Sequence, residues 1–498
     1  MKTTIEELMQ TSQVKFGTSG ARGLVSDMTD QVCYAYTLGF IQYLNSTQQL
    51  IKTSGQVSAI ALAGDLRNST PEILNACARA ISDSGYRVIN TGLIATPAVA
   101  LYGLTHNCPA IMVTGSHIPD DRNGIKFYKL AGEILKEDEL IIKQQTIILP
   151  DNAFDDQGQF TVADNFLAEV DVTALEEYQQ RYQDLFPDNA LAGKKIGVYQ
   201  HSGVARELIP ELLEKLGAQV IKLGYSEQFI PVDTEAVREE DIELARQWAS
   251  EHHLDAIVST DGDADRPLIA DENGQWLRGD IVGFLCAHYL QIDHIVTPVS
   301  SNSCVEKSGF FAVVKRTRIG SPYVIEAMQH YVEDHYAAVA GYEANGGFLL
   351  ATPVRKNNHL LTALPTRDAI VVLLTLLHSS AEKNLSVSQL LDRLPQRYTY
   401  SDRIKDFATE KSRQLIARYT QGNAAENKIA IEKDFPQFGQ VSSINTLDGL
   451  RITFDNGDII HFRPSGNAPE FRCYSESGSV EKARSINNAA LETVTSLI

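Results

Sequence analysis

The chain has 498 residues, 43% hydrophobic and 21% charged, which is the make-up of a globular protein too long for one core and sized for about three or four domains. Its formal charge of −19 argues against a nucleic-acid or anionic-membrane partner, because either needs a basic face. Six cysteines (Cys33, Cys77, Cys108, Cys286, Cys304, Cys473) stand far apart with no C-x-x-C pair, so neither a zinc site nor a disulfide framework is expected.

The opening MKTTIEELMQ lacks the apolar stretch of a secretory signal, and the most apolar run, Ala369 to Leu377, is far short of a membrane span. A cytoplasmic protein without a membrane partner is expected. Residues 15–23, KFGTSGARG, set three glycines among Lys15, Thr18, Ser19 and Arg22. Backbone N–H groups in such a loop suit an anion, and Arg22 adds a fork of donors. Ala59 to Ala63 then reads as a strand, residues 64–70 as a turn, Pro71 to Ser84 as an amphipathic helix and Tyr86 to Asn90 as a strand, which makes a βαβ unit.

The stretch Ile111 to Tyr128 contains TGSHIPDDRNGIK. A buried strand (Ala110, Ile111, Met112, Val113) breaks at Thr114-Gly115, so Ser116 stands on a loop at a strand end, with His117, Arg122, Asn123 and Lys126 nearby. That is a place for a reactive hydroxyl. No G-x-S-x-G elbow is present, and in an extended segment His117 points to the face opposite Ser116, which disfavours it as the base.

The α/β pattern returns at Lys195 to Leu223, where Pro210 suits a helix only in its first turn, and again more weakly at His294 to Arg316. Between them Asp255 to Thr260 is a strand feeding DGDADR. In an extended loop Asp261, Asp263 and Asp265 share one face and converge on a hard divalent cation. An EF-hand is rejected, since Arg266 stands where that loop needs glycine and a strand precedes it. Gly341 to Leu350, GYEANGGFLL, places Glu343 and Asn345 where they suit vicinal hydroxyls, and fits a tight turn equally well. The tail differs in kind. Leu450 to Phe454 and Ile459 to Phe462 flank an Asp-Asn-Gly turn, Phe471 to Ser475 is another strand, and a helix from Val480 to Val494 closes the chain. Within it Arg463-Pro464-Ser465-Gly466-Asn467 suits a phosphate, or a structural turn.

Taken together, FGTSGARG, TGSHIPDDRNGIK, DGDADR, GYEANGG and RPSGNAPE resemble, in order and spacing, the α-D-phosphohexomutases, most closely the bacterial phosphomannomutase/phosphoglucomutase type. The resemblance spans essentially the whole chain. It implies an α/β fold: three similar mixed-sheet α/β domains plus a smaller C-terminal α+β domain around a central cleft. The expected boundaries are 1–160 with the phosphoserine loop, 161–271 with the metal loop, 272–390 with the sugar loop and 391–498 with the phosphate loop.

The same resemblance implies a phosphoserine at Ser116 and a Mg²⁺ held by Ser116, Asp261, Asp263 and Asp265. Catalytic roles fall to Ser116, Lys126 and Arg22. Substrate binding falls to Ser19, His117, Arg266, Glu343, Asn345, Arg463, Ser465, Gly466 and Asn467. The implied activity interconverts mannose 6-phosphate and mannose 1-phosphate through a hexose 1,6-bisphosphate, which also serves as activator, in a monomer or homodimer. A phosphoglucomutase, a dual-specificity mutase and a metal-dependent sugar phosphatase are the alternatives. Two positions depart from many relatives of this type, which carry histidines where this chain has Gly347 and Ser321. Proton transfer is then left to Lys126 or to a neighbour that the sequence does not identify.

Overall fold

A computed structural model describes residues 2–17, 20–50, 58–356, 359–464 and 470–497. Three sheets share one plan. In the first unit the strands run in the spatial order Arg87–Leu93, Ala59–Gly64, Ala110–Val113, Arg122–Lys129; the first three are parallel and the last returns antiparallel. The second unit repeats this with Gln219–Tyr225, Lys195–His201, Ala256–Thr260 and Pro267–Ala270. The third does so with Val313–Thr317, His294–Pro298, Val339–Tyr342 and Phe348–Leu350. The inner parallel strands are buried along nearly their whole length, as in sheets whose two faces are both covered.

The first sheet is extended by Ala21–Leu24 and Lys15–Phe16, which pair antiparallel with Lys15 opposite Arg22. Lys15–Phe16 and Ala21–Leu24 therefore form a hairpin on the sheet edge, and Thr18 and Ser19 lie outside the described residues. Pro210 is the third residue of the helix Leu208–Lys215, inside the first turn, where its missing N–H breaks no helical bond.

The three units share one continuous apolar core. It runs from Ala61 and Met112 through Val198 and Val258 to Ile295 and the helix Ala369–Lys383, which is buried from Ala369 to Ser380. That helix is the apolar run of the sequence. Among the described residues no helix is long and apolar enough to cross a membrane.

The C-terminal unit is a five-stranded antiparallel sheet in the order Tyr398–Ile404, Phe471–Ser477, Ile459–Pro464, Leu450–Phe454, Val441–Asn445, backed by the helix Val480–Ser496. It has its own core around Phe435, Ile452, Phe462, Phe471 and Ile486. Its bonds to the third unit are polar. Glu476 accepts from the Ser303 backbone amide (2.9 Å) and hydroxyl, Asn302 Nδ2 donates to the Arg397 carbonyl (2.8 Å), and Asp448 accepts from the Ile319 backbone amide (2.9 Å).

Candidate active site

In each of the three α/β units the loop between the third parallel strand and its antiparallel return carries the polar motif: residues 114–121, 261–266 and 343–347. Loops at that end of a parallel sheet converge at strand C-termini, where ligands gather in open α/β folds.

The Ser116 loop is built rather than loose. Ser116 takes a left-handed backbone (φ 56°), so the chain reverses there instead of running on extended. The expectation that His117 faces away from Ser116 is therefore wrong: its Nδ1 lies 3.3 Å from Ser116 Oγ. Arg266, burial and Arg22, in that order, lower the His117 imidazole to about 2, so it stays neutral over the working pH range.

Arg67, only 2% exposed, holds the loop from below. It donates to the carbonyls of Ser116 (2.9 Å), Ile118 (2.6 Å), Pro119 (2.8 Å) and Arg122 (3.0 Å), and stacks on Phe229 with 3.9 Å to the ring centroid. Asp65 pairs with Arg67 and accepts from Thr114 Oγ1 (2.7 Å), which in turn accepts from the Ser116 amide (2.8 Å). Neither Asp65 nor Arg67 stood out in the sequence, where they form part of an ordinary turn before a capped helix.

Ser116 Oγ donates to Asp261 Oδ2 at 2.7 Å, which joins the first unit to the second. The 261–266 loop is a tight turn with Ala264 left-handed (φ 58°), not an extended segment as expected from the alternation of aspartates. The outcome for the side chains is the same: the three buried carboxylates offer oxygens within 4.8 Å of one another. Lys126 Nζ bridges Asp263 (2.5 Å) and Asp265 (2.7 Å), and Arg266 lies 3.6 Å from Asp265.

Burial, Asp263 and Asp265 push Asp261 well above the usual carboxylate range. Asp265 is as deeply buried, yet Arg367, Lys126 and Arg266 hold it well below that range. The Lys126 ammonium is opposed by burial but raised by Asp263 and Asp265. Burial, then Arg266 and Arg367, lower the Arg22 guanidinium to about 10.

The donor set fits a hard divalent cation. Asp263 Oδ1 and Asp265 Oδ1 are buried without a hydrogen-bond partner, and every candidate ligand is an oxygen. Glu343 and Asn345 are both buried. Asn345 Oδ1 accepts from the Gly347 amide (2.9 Å) and its carbonyl from Thr234 Oγ1 (2.8 Å). Arg463 pairs with Asp448 (3.0 Å) beside a cavity of about 590 Å³ lined also by Thr409, Arg413 and Thr446. Ser465, Gly466 and Asn467 lie outside the described residues.

One connected network thus holds Ser116, His117, Lys126, Asp261, Asp263, Asp265 and Arg266. Glu343 joins it through Arg367, a residue that the sequence did not single out. Asn345 and Arg463 are held by separate contacts.

Sequence profiles described as phosphoglucomutase/phosphomannomutase alpha/beta/alpha domains I, II and III match residues 13–147, 176–274 and 278–398. The chain belongs to the phosphoglucomutase/phosphomannomutase family. It is 44% identical over 497 residues to a phosphomannomutase of Salmonella muenchen, covering 98% of this chain and 97% of that one. A phosphomannomutase of Sinorhizobium fredii is 41% identical, with 94% and 96% covered. Among solved structures, a putative phosphomannomutase from Thermus thermophilus shares the fold, with a TM-score of 0.72 at 18% identity over 97% of this chain and 99% of that one.

For a family mutase, the two positions of departure lie together. Ser321 Oγ donates to Glu133 (3.2 Å) and lies 3.4 Å from the Arg367 guanidinium, and Gly347 lies against the Arg367 side chain.

Proposed function

We propose that the chain interconverts mannose 6-phosphate and mannose 1-phosphate through a phosphoserine at Ser116 and a hexose 1,6-bisphosphate. The observation that carries this reading is the 2.7 Å bond from Ser116 Oγ to Asp261, which couples a hydroxyl to a cluster of three carboxylates suited to Mg²⁺. Both relatives named above are phosphomannomutases matched over nearly their whole length.

When bound at that cluster, Mg²⁺ supplies Lewis-acid neutralisation of the phosphoryl oxygens. The protein does the rest by position and charge. In the first half-reaction the Ser116 Oγ–P bond breaks, a sugar hydroxyl oxygen forms the new bond to phosphorus, the Lys126 ammonium gives a proton to the departing Ser116 oxygen, and the amine so formed takes up the hydroxyl proton. In the second half-reaction the intermediate presents its other phosphate, Ser116 Oγ takes the phosphoryl group, the Lys126 ammonium protonates the departing sugar oxygen, and the amine so formed takes up the proton that Ser116 Oγ releases. Lys126 suits the acid role because Asp263 and Asp265 keep its ammonium protonated against burial. Arg22, His117 and Arg266 line the transferring phosphate, His117 with its Nδ1 3.3 Å from Ser116 Oγ. Glu343 and Asn345 read sugar hydroxyls, while Arg463 with Ser465, Gly466 and Asn467 holds the phosphate that does not react.

The test supplies mannose 1-phosphate and glucose 1-phosphate in parallel, with Mg²⁺ and a trace of hexose 1,6-bisphosphate, and measures each 6-phosphate. Preference for mannose supports the reading, and equal rates make the enzyme dual-specific. Release of free phosphate without isomerisation overturns it. Ser116→Ala is expected to abolish turnover, a loss of at least about 10³-fold.

A further inference from the structure

Residues 366–368, Thr-Arg-Asp, are three consecutive side chains that engage three different parts of the molecule. Thr366 Oγ1 donates to Glu133 of the first unit (2.6 Å). Asp368 accepts from Tyr178 (2.7 Å) and Tyr182 of the helix Thr173–Gln183, and caps Ala369–Lys383 at the amides of Ile370 and Val371. Arg367 is thereby held on both sides.

Its guanidinium, 3% exposed, spans two of the catalytic loops. Nε and Nη2 reach Asp265 Oδ2 at 3.0 and 2.8 Å, while Nη1 reaches Glu343 Oε2 at 3.2 Å. A planar fork in that position fixes the rotamers of both carboxylates at once, which an ammonium cannot do.

Gly347 makes the arrangement sterically possible. A Cβ at Gly347 would lie 2.5 Å from Arg367 Cδ and 2.6 Å from Cγ. Gly347 is not among the glycines with positive φ, so the missing side chain serves space rather than backbone conformation.

We propose that Arg367 is a positioning residue of the reaction: it locks Glu343 of the sugar loop to Asp265 of the metal loop, in a slot that exists because residue 347 has no side chain. The proposal deepens the mutase reading and rests on it. It assigns Arg367 no contact with substrate, only the orientation of a carboxylate that meets it.

Two double-mutant cycles test the idea on the full chain. They are read as kcat and KM for mannose 1-phosphate, and in parallel as calorimetric binding of mannose 1-phosphate, which needs no turnover. Arg367→Ala is expected to lower kcat/KM roughly 10- to 100-fold, the loss of a buried charge-assisted bond. Arg367→Lys should recover less than about a tenth of that loss, since it restores the charge but not the fork.

Gly347→Ala, which removes no charge, should weaken binding to a similar degree by displacing the side chain. Arg367→Ala/Gly347→Ala should be no worse than Arg367→Ala within about twofold, and Arg367→Ala/Glu343→Gln no worse than the more impaired single variant. Wild-type kinetics for Gly347→Ala, or losses that multiply in both cycles, overturn the proposal. So does a fall in melting temperature with KM and kcat unchanged, the signature of a merely structural role. Where Arg367→Ala does not fold, Gly347→Ala against Glu343→Gln carries the cycle. If the wild type binds mannose 1-phosphate but isomerises nothing, the mutase reading fails while the cycles on binding still judge Arg367.

Discussion

Ser116 has a floor of protein beneath it, and the tolerance of that floor is a property of single residues. A Cβ on Gly115 would come within 2.6 Å of Arg67 Cζ, and Arg67 is tied to four carbonyls and cannot step aside. Gly115→Ala is therefore expected to cost about 1–3 kcal/mol of stability and to lower kcat more than it raises KM, as measured by urea denaturation and initial rates. Wild-type kcat in a destabilised variant would show that Arg67 does not set the Ser116 geometry. The contrast between Ser116 and Arg67 also shows what a sequence discloses about a site. Ser116 and the three aspartates stand in short contiguous motifs whose residue types already suit the chemistry. Arg67 acts on Ser116 from 49 positions away and Arg367 on Asp265 from 102, and neither sits in a local pattern other than the turn before a helix. Those contacts belong to tertiary packing, where no spacing rule operates.

At the scale of elements, the three sheets place their polar motifs in the same connection, after the third parallel strand. The strand–turn–helix rhythm of each unit was legible from apolar runs and caps. The equivalence of the three loops was not, because it rests on strand order in space. Nor was the turn geometry at Ser116 and Ala264, since neither residue type announces a left-handed backbone. The helix Ala369–Lys383 has a further role as a strut. Its capping carboxylate, Asp368, receives both Tyr178 and Tyr182, whose hydroxyls are buried. Tyr178→Phe is expected to destabilise the protein by about 1–2 kcal/mol, because Asp368 Oδ1 loses its 2.7 Å bond and keeps only the amides of Ile370 and Val371. Chemical denaturation checks the magnitude. An unchanged midpoint would mean that Tyr182 and the helix amides already satisfy Asp368.

At the scale of the whole molecule, acid is expected to loosen the protein through two buried histidines in different units. His201 Nε2 donates to the Thr260 carbonyl (2.9 Å) and His461 Nε2 to the Asp448 carbonyl (2.6 Å), while Nδ1 of each is buried without a partner. Burial lowers both to about 4, from 6.5. Below pH 6.5 the unfolded chain therefore binds protons that the folded chain refuses. Stability is fully present above that pH, falls between 6.5 and 4, and levels off beneath it, by on the order of 3 kcal/mol per histidine. His461→Gln should flatten part of that slope in urea titrations at successive pH values; an unaltered slope would assign it elsewhere. The fourth unit answers to this as a body of its own, because it has a separate core and meets the third through polar bonds at Ser303, Asn302 and Ile319. The burial of Ser116 itself, 0% exposed, reaches beyond the reaction. A protein kinase needs its target serine on an accessible segment that can enter another active site, and Ser116 offers none. On the proposed cycle a molecule that loses its phosphoryl group to water stays idle until a small sugar bisphosphate diffuses in, so the working fraction of the enzyme is governed by metabolite supply rather than by signalling. Dephosphorylated protein should regain label at Ser116 from a radiolabelled hexose bisphosphate and take up none at Ser116 from ATP with a broad-specificity serine kinase.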